Sequence, residues 1–450
     1  MTVSFSPREK RSWMQAVSLS MLCLALQPKT TWTAEPPDWD LTPLEPAPEW
    51  AALDPWQRTV SGQEFKEELE RIFLAAPGIA NDLFQVFPDH ALIAKQSKHP
   101  EQSYRFEFGN HPQPLAPVYW RAPSRLPPLR DASHPLQDLR IVIDPGHIGG
   151  EWARMEQRWF LIPDPPSPCS GAEGNSPQNL PVQEGNLVLR VAELLEQKLT
   201  AQGARVALVR RRLEPVTPLR PVTMLDSARK SLGLEPNITP DTNTQLRAES
   251  ERLFYLSAEI RARGQLVNRE FRPDLAVCLH MNAEAWGNPA QPSLTKRNHF
   301  HILINGCYTR AELMKDDQRF LLMHRLVQGI HREEVALAET VAEIMAPRLG
   351  LPPYEYLGGK AKHPGTNPFV WSRNLLATRI YSCPVIYFEP YVMNDEVTYA
   401  RIQAGEYEGT RSILGVSYPN LFEEYAAGVA EGLVAYYNKH RSSPSPTPVP

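Results

Sequence analysis

Four side chains in this sequence have the types and the placement to hold a metal ion and move a proton. An apolar run, Leu139 to Ile143, ends in Asp144-Pro145-Gly146-His147. A second, Leu275 to Leu279, ends at His280 and continues Met281-Asn282-Ala283. A third, Pro384 to Phe388, ends at Glu389. Glu184 opens an amphipathic stretch marked by Leu187, Val188, Val191, Leu194, Leu195 and Leu199. Continuous apolar runs read as strands of a sheet covered on both faces. In open α/β sheets, sites form beyond the carboxyl ends of the strands. If the three strands are parallel, both histidines and both glutamates meet at one edge. Two imidazoles and one carboxylate make a catalytic zinc set with a fourth position open to water, and a second carboxylate can then act as a base toward that water. Each residue alone has a plainer reading. A strand-end histidine is commonly a loop or core residue, Glu184 a helix N-terminal carboxylate favoured by the dipole, and Glu389 a buried structural acid. Their joint placement favours the metal.

The elements that must position these groups follow from periodicity. Val206 to Val209 and His301 to Asn305 read as further strands. Leu253, Leu256, Ile260 and Val267 mark a helix, a long helical pattern runs over 311–349, and Phe422, Tyr425, Ala426, Val429, Leu433 and Tyr436 mark a closing helix. Repeated alternation of strand and helix predicts an α/β fold, a mostly parallel twisted sheet with helices on both faces. A small α+β module precedes it. There, Ser61 and Glu64 match a capping box, Phe65, Leu69, Ile72 and Phe73 follow at helical spacing, and Leu83–Phe87, Ala91–Lys95 and Tyr104–Phe108 read as short strands. The expected organisation is a signal peptide at 1–34, a Pro-rich polar segment at 35–55, the module at 56–110, a Pro-rich linker at 111–137, the catalytic domain with enlarged loops at 138–440, and a disordered tail at 441–450.

Composition narrows the function classes. The 450 residues are 42% hydrophobic and 22% charged, as in globular chains, and the 45 prolines are about twice the typical share, which marks rigid loops and linkers. The net charge of −4, with no basic block, lacks the footprint of a nucleic-acid binder. No segment reaches the ~18 consecutive apolar residues of a membrane span. Arg8, Lys10 and Arg11 precede a mostly apolar run from Trp13 to Leu26, the pattern of a secretory signal. Export to the periplasm, the cell wall or the medium is therefore expected, with no stable membrane insertion after signal removal. None of the five cysteines shows C-x-x-C spacing, so a cysteine zinc site is not expected. Cys278 and Cys383 lie in apolar runs and read as buried thiols. Nothing in the sequence indicates an oligomeric state.

Taken in order, these segments resemble the zinc-dependent N-acetylmuramoyl-L-alanine amidases of the amidase_3 type. Ile141–His147 (IVIDPGH) with Gly149-Gly150 resembles the opening motif, and Gln183–Leu187 (QEGNL) the second, whose glutamate is a ligand. Gly203–Arg210 (GARVALVR) resembles the second strand, and Arg263–Asn268 (RGQLVN) the helix end before the third ligand. Leu279–Ala283 (LHMNA) resembles the third motif, and Pro384–Glu389 (PVIYFE), with Asn394 after it, the motif carrying the catalytic glutamate. The resemblance spans 139–437. It implies one Zn2+ per chain on His147, Glu184 and His280, Glu389 as general base and acid, and peptidoglycan as partner, cut at the amide joining N-acetylmuramic acid to L-alanine. The sequence departs from the family at Ile148, where glycine is usual, at Gly185, where lysine is common, and at Pro390-Tyr391, where a small residue follows the catalytic glutamate. The 37 positions from His147 to Glu184 and the 109 from His280 to Glu389 are also enlarged. Substrate grooves are built from such loops, so a zinc peptidase or other amidohydrolase on the same scaffold, and a non-catalytic wall-binding protein, remain as alternatives.

Secondary candidates are Asn282, whose side chain reads as hydrogen-bonding either substrate or a loop backbone, and Arg379, a cation able to meet substrate carboxylates, for which a structural ion pair is the plainer reading. His299 and His301 alternate on one strand face and either border the site or lie on a partly solvated face. His324, His331, Glu333, Glu334 and Glu343 read as the solvated face of the long helix. By resemblance to cell-division amidases with an inserted blocking helix, 311–349 could also cover the metal.

Overall fold

The structure is a computed structural model that describes residues 44, 46–109, 118–163, 179–288 and 290–441. The signal peptide, Cys23, Cys169, most of the Pro-rich insertion before Glu184 and residues 442–450 of the tail lie outside the described residues.

The N-terminal module starts with a 3-10 helix at Trp50–Trp56, whose Trp50, Leu53 and Trp56 are buried in the module's core, so the end of the segment expected to be polar and Pro-rich is packed instead. Helix α1 (Gly62–Glu68) follows, where Ser61 Oγ accepts the Glu64 N–H at 3.2 Å. A three-stranded antiparallel sheet follows, β1 (Phe84–Val86), β2 (His90–Gln96) and β3 (His99–Glu107). Its core joins Phe65, Ile72, Phe73 and Phe106 to Tyr308, Leu322, Met323 and Leu326 from far along the chain. Residues 118–137, expected as a stiff linker, are instead packed down. Leu126 and Leu136 enter the main core, and Arg121 grips the buried Asp274 carboxylate at 2.6 Å and 3.0 Å.

The main sheet has seven strands: β4 (Arg140–Pro145), β5 (Arg205–Leu208), β6 (Leu275–Leu279), β7 (Phe300–Ile304), β8 (Ala361–Lys362), β9 (Val370–Arg373) and β10 (Val385–Pro390). Their order is β8-β9-β7-β10-β6-β4-β5. Strands β5, β4, β6 and β10 run parallel, so the ends at His147, His280 and Glu389 share one edge. Strand β7 runs antiparallel to β10, which sets His301 directly across from Glu389. Strand β9 is parallel to β7, and β8 antiparallel to β9. The sheet is thus mostly parallel and mixed at one side.

Side-chain alternation gives the sheet two buried faces. Ile141, Ile143, Leu275, Val277, Leu279, Ile302, Ile386 and Phe388 pack against α2 (Glu184–Ala201), α6 (Ile330–Leu349) and α8 (Leu421–His440). Each such fully buried apolar side chain contributes about 1.5–3 kcal/mol. The other face carries Val142, Asp144, Cys278, His301, Leu303, Tyr387 and Glu389. Toward it lies the helical path from α3 (Thr244–Leu253) through α4 (Glu259–Leu266), and α7 (Leu376–Arg379) packs on α4 and β10.

The long helix expected over 311–349 is broken. A turn at Arg310–Leu313 precedes α5 (Asp316–Val327), and Gly329, at φ +62°, separates α5 from α6. Its charged residues are not a solvated face either. His331 and Glu334 are 2% and 0% exposed, and Glu334 pairs with Arg325 across the break. Glu343 alone of the five is exposed. The apolar side of α6 packs on the sheet face opposite the cleft described below, so the helix does not cover the metal-type residues.

Candidate metal and catalytic site

The site grows from the loop that leaves β4. A Cβ on Gly146 would meet the His280 imidazole at 2.1–2.5 Å, so only glycine lets that ring lie on the loop. His147 follows at φ 52°, a left-handed conformation that costs a non-glycine residue strain. Two buried arginines hold it. Arg263 donates to the carbonyls of Pro145 and His147, both at 2.8 Å, and pairs with Asp144 at 2.9 Å and Glu259 at 2.8 Å. Arg210 donates to the carbonyls of Gly146 and Gly185, both at 2.9 Å, tying the loop to the start of α2.

Glu184, the first residue of α2, is 2% exposed. Its Oε1 lies 2.9 Å from His280 Nδ1 and accepts the Met281 N–H at 3.2 Å. Its Oε2 lies 3.2 Å from His147 Nε2. One ligand atom from each of His147, Glu184 and His280 falls within 4.8 Å of the others. The rings are fixed from behind. Glu156 Oε1 is 3.5 Å from His147 Nδ1, while its carboxylate accepts the N–H groups of Ile148 and Gly149. His280 stacks on Tyr387 at 4.2 Å, and the Tyr425 hydroxyl donates to the His280 carbonyl at 3.0 Å. Two imidazoles, a carboxylate and a carboxylate behind one ring fit a divalent metal of the zinc type.

The charges are strongly coupled. Burial opposes charge on His147, but the Glu184 and Glu156 carboxylates outweigh it and draw the imidazolium up to about 9. Burial pushes His280 down to about 4 despite its contact with Glu184. Burial would raise Glu184, yet the two imidazoles hold it well below the usual carboxylate range. Glu389 is pushed up to about 8 by burial and by the neighbouring Glu184 charge.

A cleft of about 1040 Å³ contains His147, Glu184, His280, Asn282 and Glu389 together. Asn282 Oδ1 accepts the Ala283 N–H at 2.7 Å, and its side-chain amide N–H groups have no partner among the described residues. Arg379 lies elsewhere, which corrects its assignment as a substrate-binding residue. It is fully buried, pairs with Glu312 at 2.9 Å and covers the Tyr308 ring at 3.5 Å. His299 and His301 are not solvated but 5% and 0% exposed, beneath Tyr354.

Several cleft residues carry no sequence signal of their own. Arg158 sets Nε 3.0 Å from Glu184 Oε2 and 3.3 Å from His147 Nε2. Glu156, Tyr354, Tyr356 and Arg373 also line the cleft. Glu156 and Arg158 sit in a loop without period, and Tyr356 and Arg373 come from the long stretch between His280 and Glu389.

No protein-family model matches the chain, and no curated protein matches it. Among solved structures, the chain is similar to the apo form of the N-acetylmuramyl-L-alanine amidase Ami1 from Mycobacterium abscessus, at 17% identity and a TM-score of 0.35, covering 67% of this chain and 99% of that one. It is similar to the N-acetylmuramoyl-L-alanine amidase AmiC2 of Nostoc punctiforme, at 14% identity and a TM-score of 0.32, covering 67% and 97%. It is also similar to the catalytic domain of CwlV, an N-acetylmuramoyl-L-alanine amidase from Bacillus (Paenibacillus) polymyxa var. colistinus, at 16% identity and a TM-score of 0.32, covering 66% and 97%.

Proposed function

We propose that this chain is an exported, zinc-dependent amide hydrolase that cuts peptidoglycan between N-acetylmuramic acid and L-alanine. The observation that carries the reading is the meeting of His147, Glu184 and His280 with Glu389 in one cleft at the carboxyl edge of the sheet. The ordered motifs from Ile141 to Glu389 supply the choice of substrate.

His147, Glu184 and His280 would hold one zinc ion. When bound, zinc lowers the pKa of a water to about 7 and polarises a carbonyl. Glu389, raised toward neutrality, accepts the proton of the attacking water and returns one to the leaving amine. The free amide N–H groups of Asn282 donate to the substrate. Arg263 and Arg210 keep the His147 loop in its left-handed shape.

The test incubates the full chain with purified peptidoglycan, with and without a zinc chelator, and identifies products by mass. Chelator-sensitive release of peptides beginning at a free L-alanine amine is expected. Glu389→Gln should keep its metal and lose about 10²–10⁴-fold in rate. Release of new reducing ends, or cleavage of free peptides only, would overturn the assignment.

A further inference from the structure

The cleft holds four arginines, and their partners separate them. Arg263 is consumed by Asp144 and Glu259, and Arg158 by Glu184. Arg154 also lacks a carboxylate partner among the described residues, but it is exposed, lying over the Trp159 ring at 3.6 Å, whereas Arg373 is half-buried. Arg373, the last residue of β9, has no carboxylate within ion-pair distance among the described residues. Its one side-chain hydrogen bond there runs from Nη1 to the Tyr356 hydroxyl at 3.0 Å, and the guanidinium lies 5.0 Å from the centre of that ring. Tyr356 is itself fixed, its hydroxyl 2.8 Å from Nε2 of the fully buried His301. Tyr354 packs on His301 at 5.0 Å and on Tyr356 at 4.6 Å. His301 stands directly across from Glu389 on β10, so the whole arrangement is built beside the proposed base.

A guanidinium carried on a tyrosine hydroxyl and ring, with its remaining N–H groups unspent, is a planar fork for a carboxylate. The cleft also presents Glu184, Glu284 and Glu389, which repel an anion. Arg373 is the half-buried arginine of the cleft with N–H groups left for a substrate carboxylate, on the β9 side of Glu389. We propose that Arg373, carried on Tyr356 and His301, is a carboxylate-binding subsite and that the preferred substrate is an amide whose peptide portion bears a free carboxylate.

This deepens the amidase reading and rests on it for the identity of the bond cut. The test uses two N-acetylmuramoyl-L-alanyl dipeptides differing only in whether the second residue ends in carboxylates or carboxamides. With zinc-loaded full chain, Arg373→Gln should lower kcat/KM on the carboxylate dipeptide about 10- to 100-fold, mainly through KM. It should leave the carboxamide dipeptide unchanged. Arg373→Lys should recover part of the loss, having the charge without the fork. An equal loss on both substrates would overturn the subsite and make Arg373 a residue that only sets the charge of Glu389. Binding is measured separately, by calorimetry in the Glu389→Gln background, so that it does not depend on turnover. If the wild type cleaves neither dipeptide, the amidase reading fails while binding still decides the subsite. Preference for the carboxylate dipeptide that Arg373→Gln abolishes supports it, and equal or absent binding of the two overturns it. Circular dichroism melting of each variant separates loss of binding from loss of fold.

Discussion

The Glu156 carboxylate lies 3.5 Å from Nδ1 of His147 and at the same time accepts the backbone N–H groups of Ile148 and Gly149. One side chain therefore fixes both the ring and the left-handed loop that presents it. Carboxylates behind ligating histidines set ring orientation and basicity, and their loss typically costs about 10- to 100-fold in metal affinity. Glu156→Ala is expected to weaken zinc binding in that range. Glu156→Gln should lose less, since its amide oxygen still accepts one backbone N–H. Competition with a chromophoric chelator measures both, and wild-type affinity in Glu156→Ala would remove the residue from this role.

Arg158 makes the opposite prediction for the same measurement. Its Nε sits 3.0 Å from Glu184 Oε2 and 3.3 Å from His147 Nε2, among the atoms that would hold the metal. A fixed guanidinium so close repels a divalent cation while neutralising Glu184 when no metal is bound. Arg158→Ala should bind zinc more tightly and should lower the melting temperature of the metal-free protein. Weaker zinc binding in this variant would mean that Arg158 holds the ligands in place rather than opposing the ion.

The meeting of His147, His280 and Glu389 is legible in the sequence because each closes an apolar run, and parallel strands bring such ends to one edge. What covers and supports them is not legible. The alternation of His299 and His301 puts both on one face, but their burial comes from Tyr354, some fifty residues further on. His331 and Glu334 sit at helical positions where charged residues are mostly exposed. Their partners, Glu68 and Arg325, come from α1 and from beyond the Gly329 break. For Arg379 the plainer reading, a structural ion pair, is the one found, but its partner Glu312 stands 67 residues earlier and is not legible.

Buried histidines make the fold sensitive to acid. Burial lowers His324 to about 4 and holds His301 well below its ordinary value. The unfolded chain protonates these rings near 6.5 while the folded chain does not, so the unfolded state binds more protons in that window. The contribution of these two rings to stability is fully present above about pH 6.5 and is lost as pH drops toward 4, opposite in sign to that of His147 and Glu389, whose raised values favour the folded state at lower pH. Between about pH 7.5 and 4.5 the urea midpoint of the wild type should fall relative to that of His324→Gln. Parallel declines would show that His324 contributes nothing to the slope.

The pair of Arg325 and Glu334 should be the costliest ionic contact to break. Their side chains are 1% and 0% exposed and meet directly across the Gly329 break. Arg325 also donates to the carbonyl of Tyr381, and Glu334 accepts the Val385 N–H at 2.8 Å. The pair thus clamps α5 and α6 to the start of β10, whose far end carries Glu389. Burial pushes the Glu334 carboxyl up, with Arg325 opposing that shift. Glu334→Ala strands a buried guanidinium and is expected to cost about 3–5 kcal/mol, whereas replacing both partners together, as Arg325→Met with Glu334→Leu, should recover much of it. Denaturant unfolding reads this as a lower midpoint at unchanged m-value. A Glu334→Ala loss within the ~0.5 kcal/mol of an ordinary surface substitution would mean that water reaches Arg325 and that the clamp is not dry.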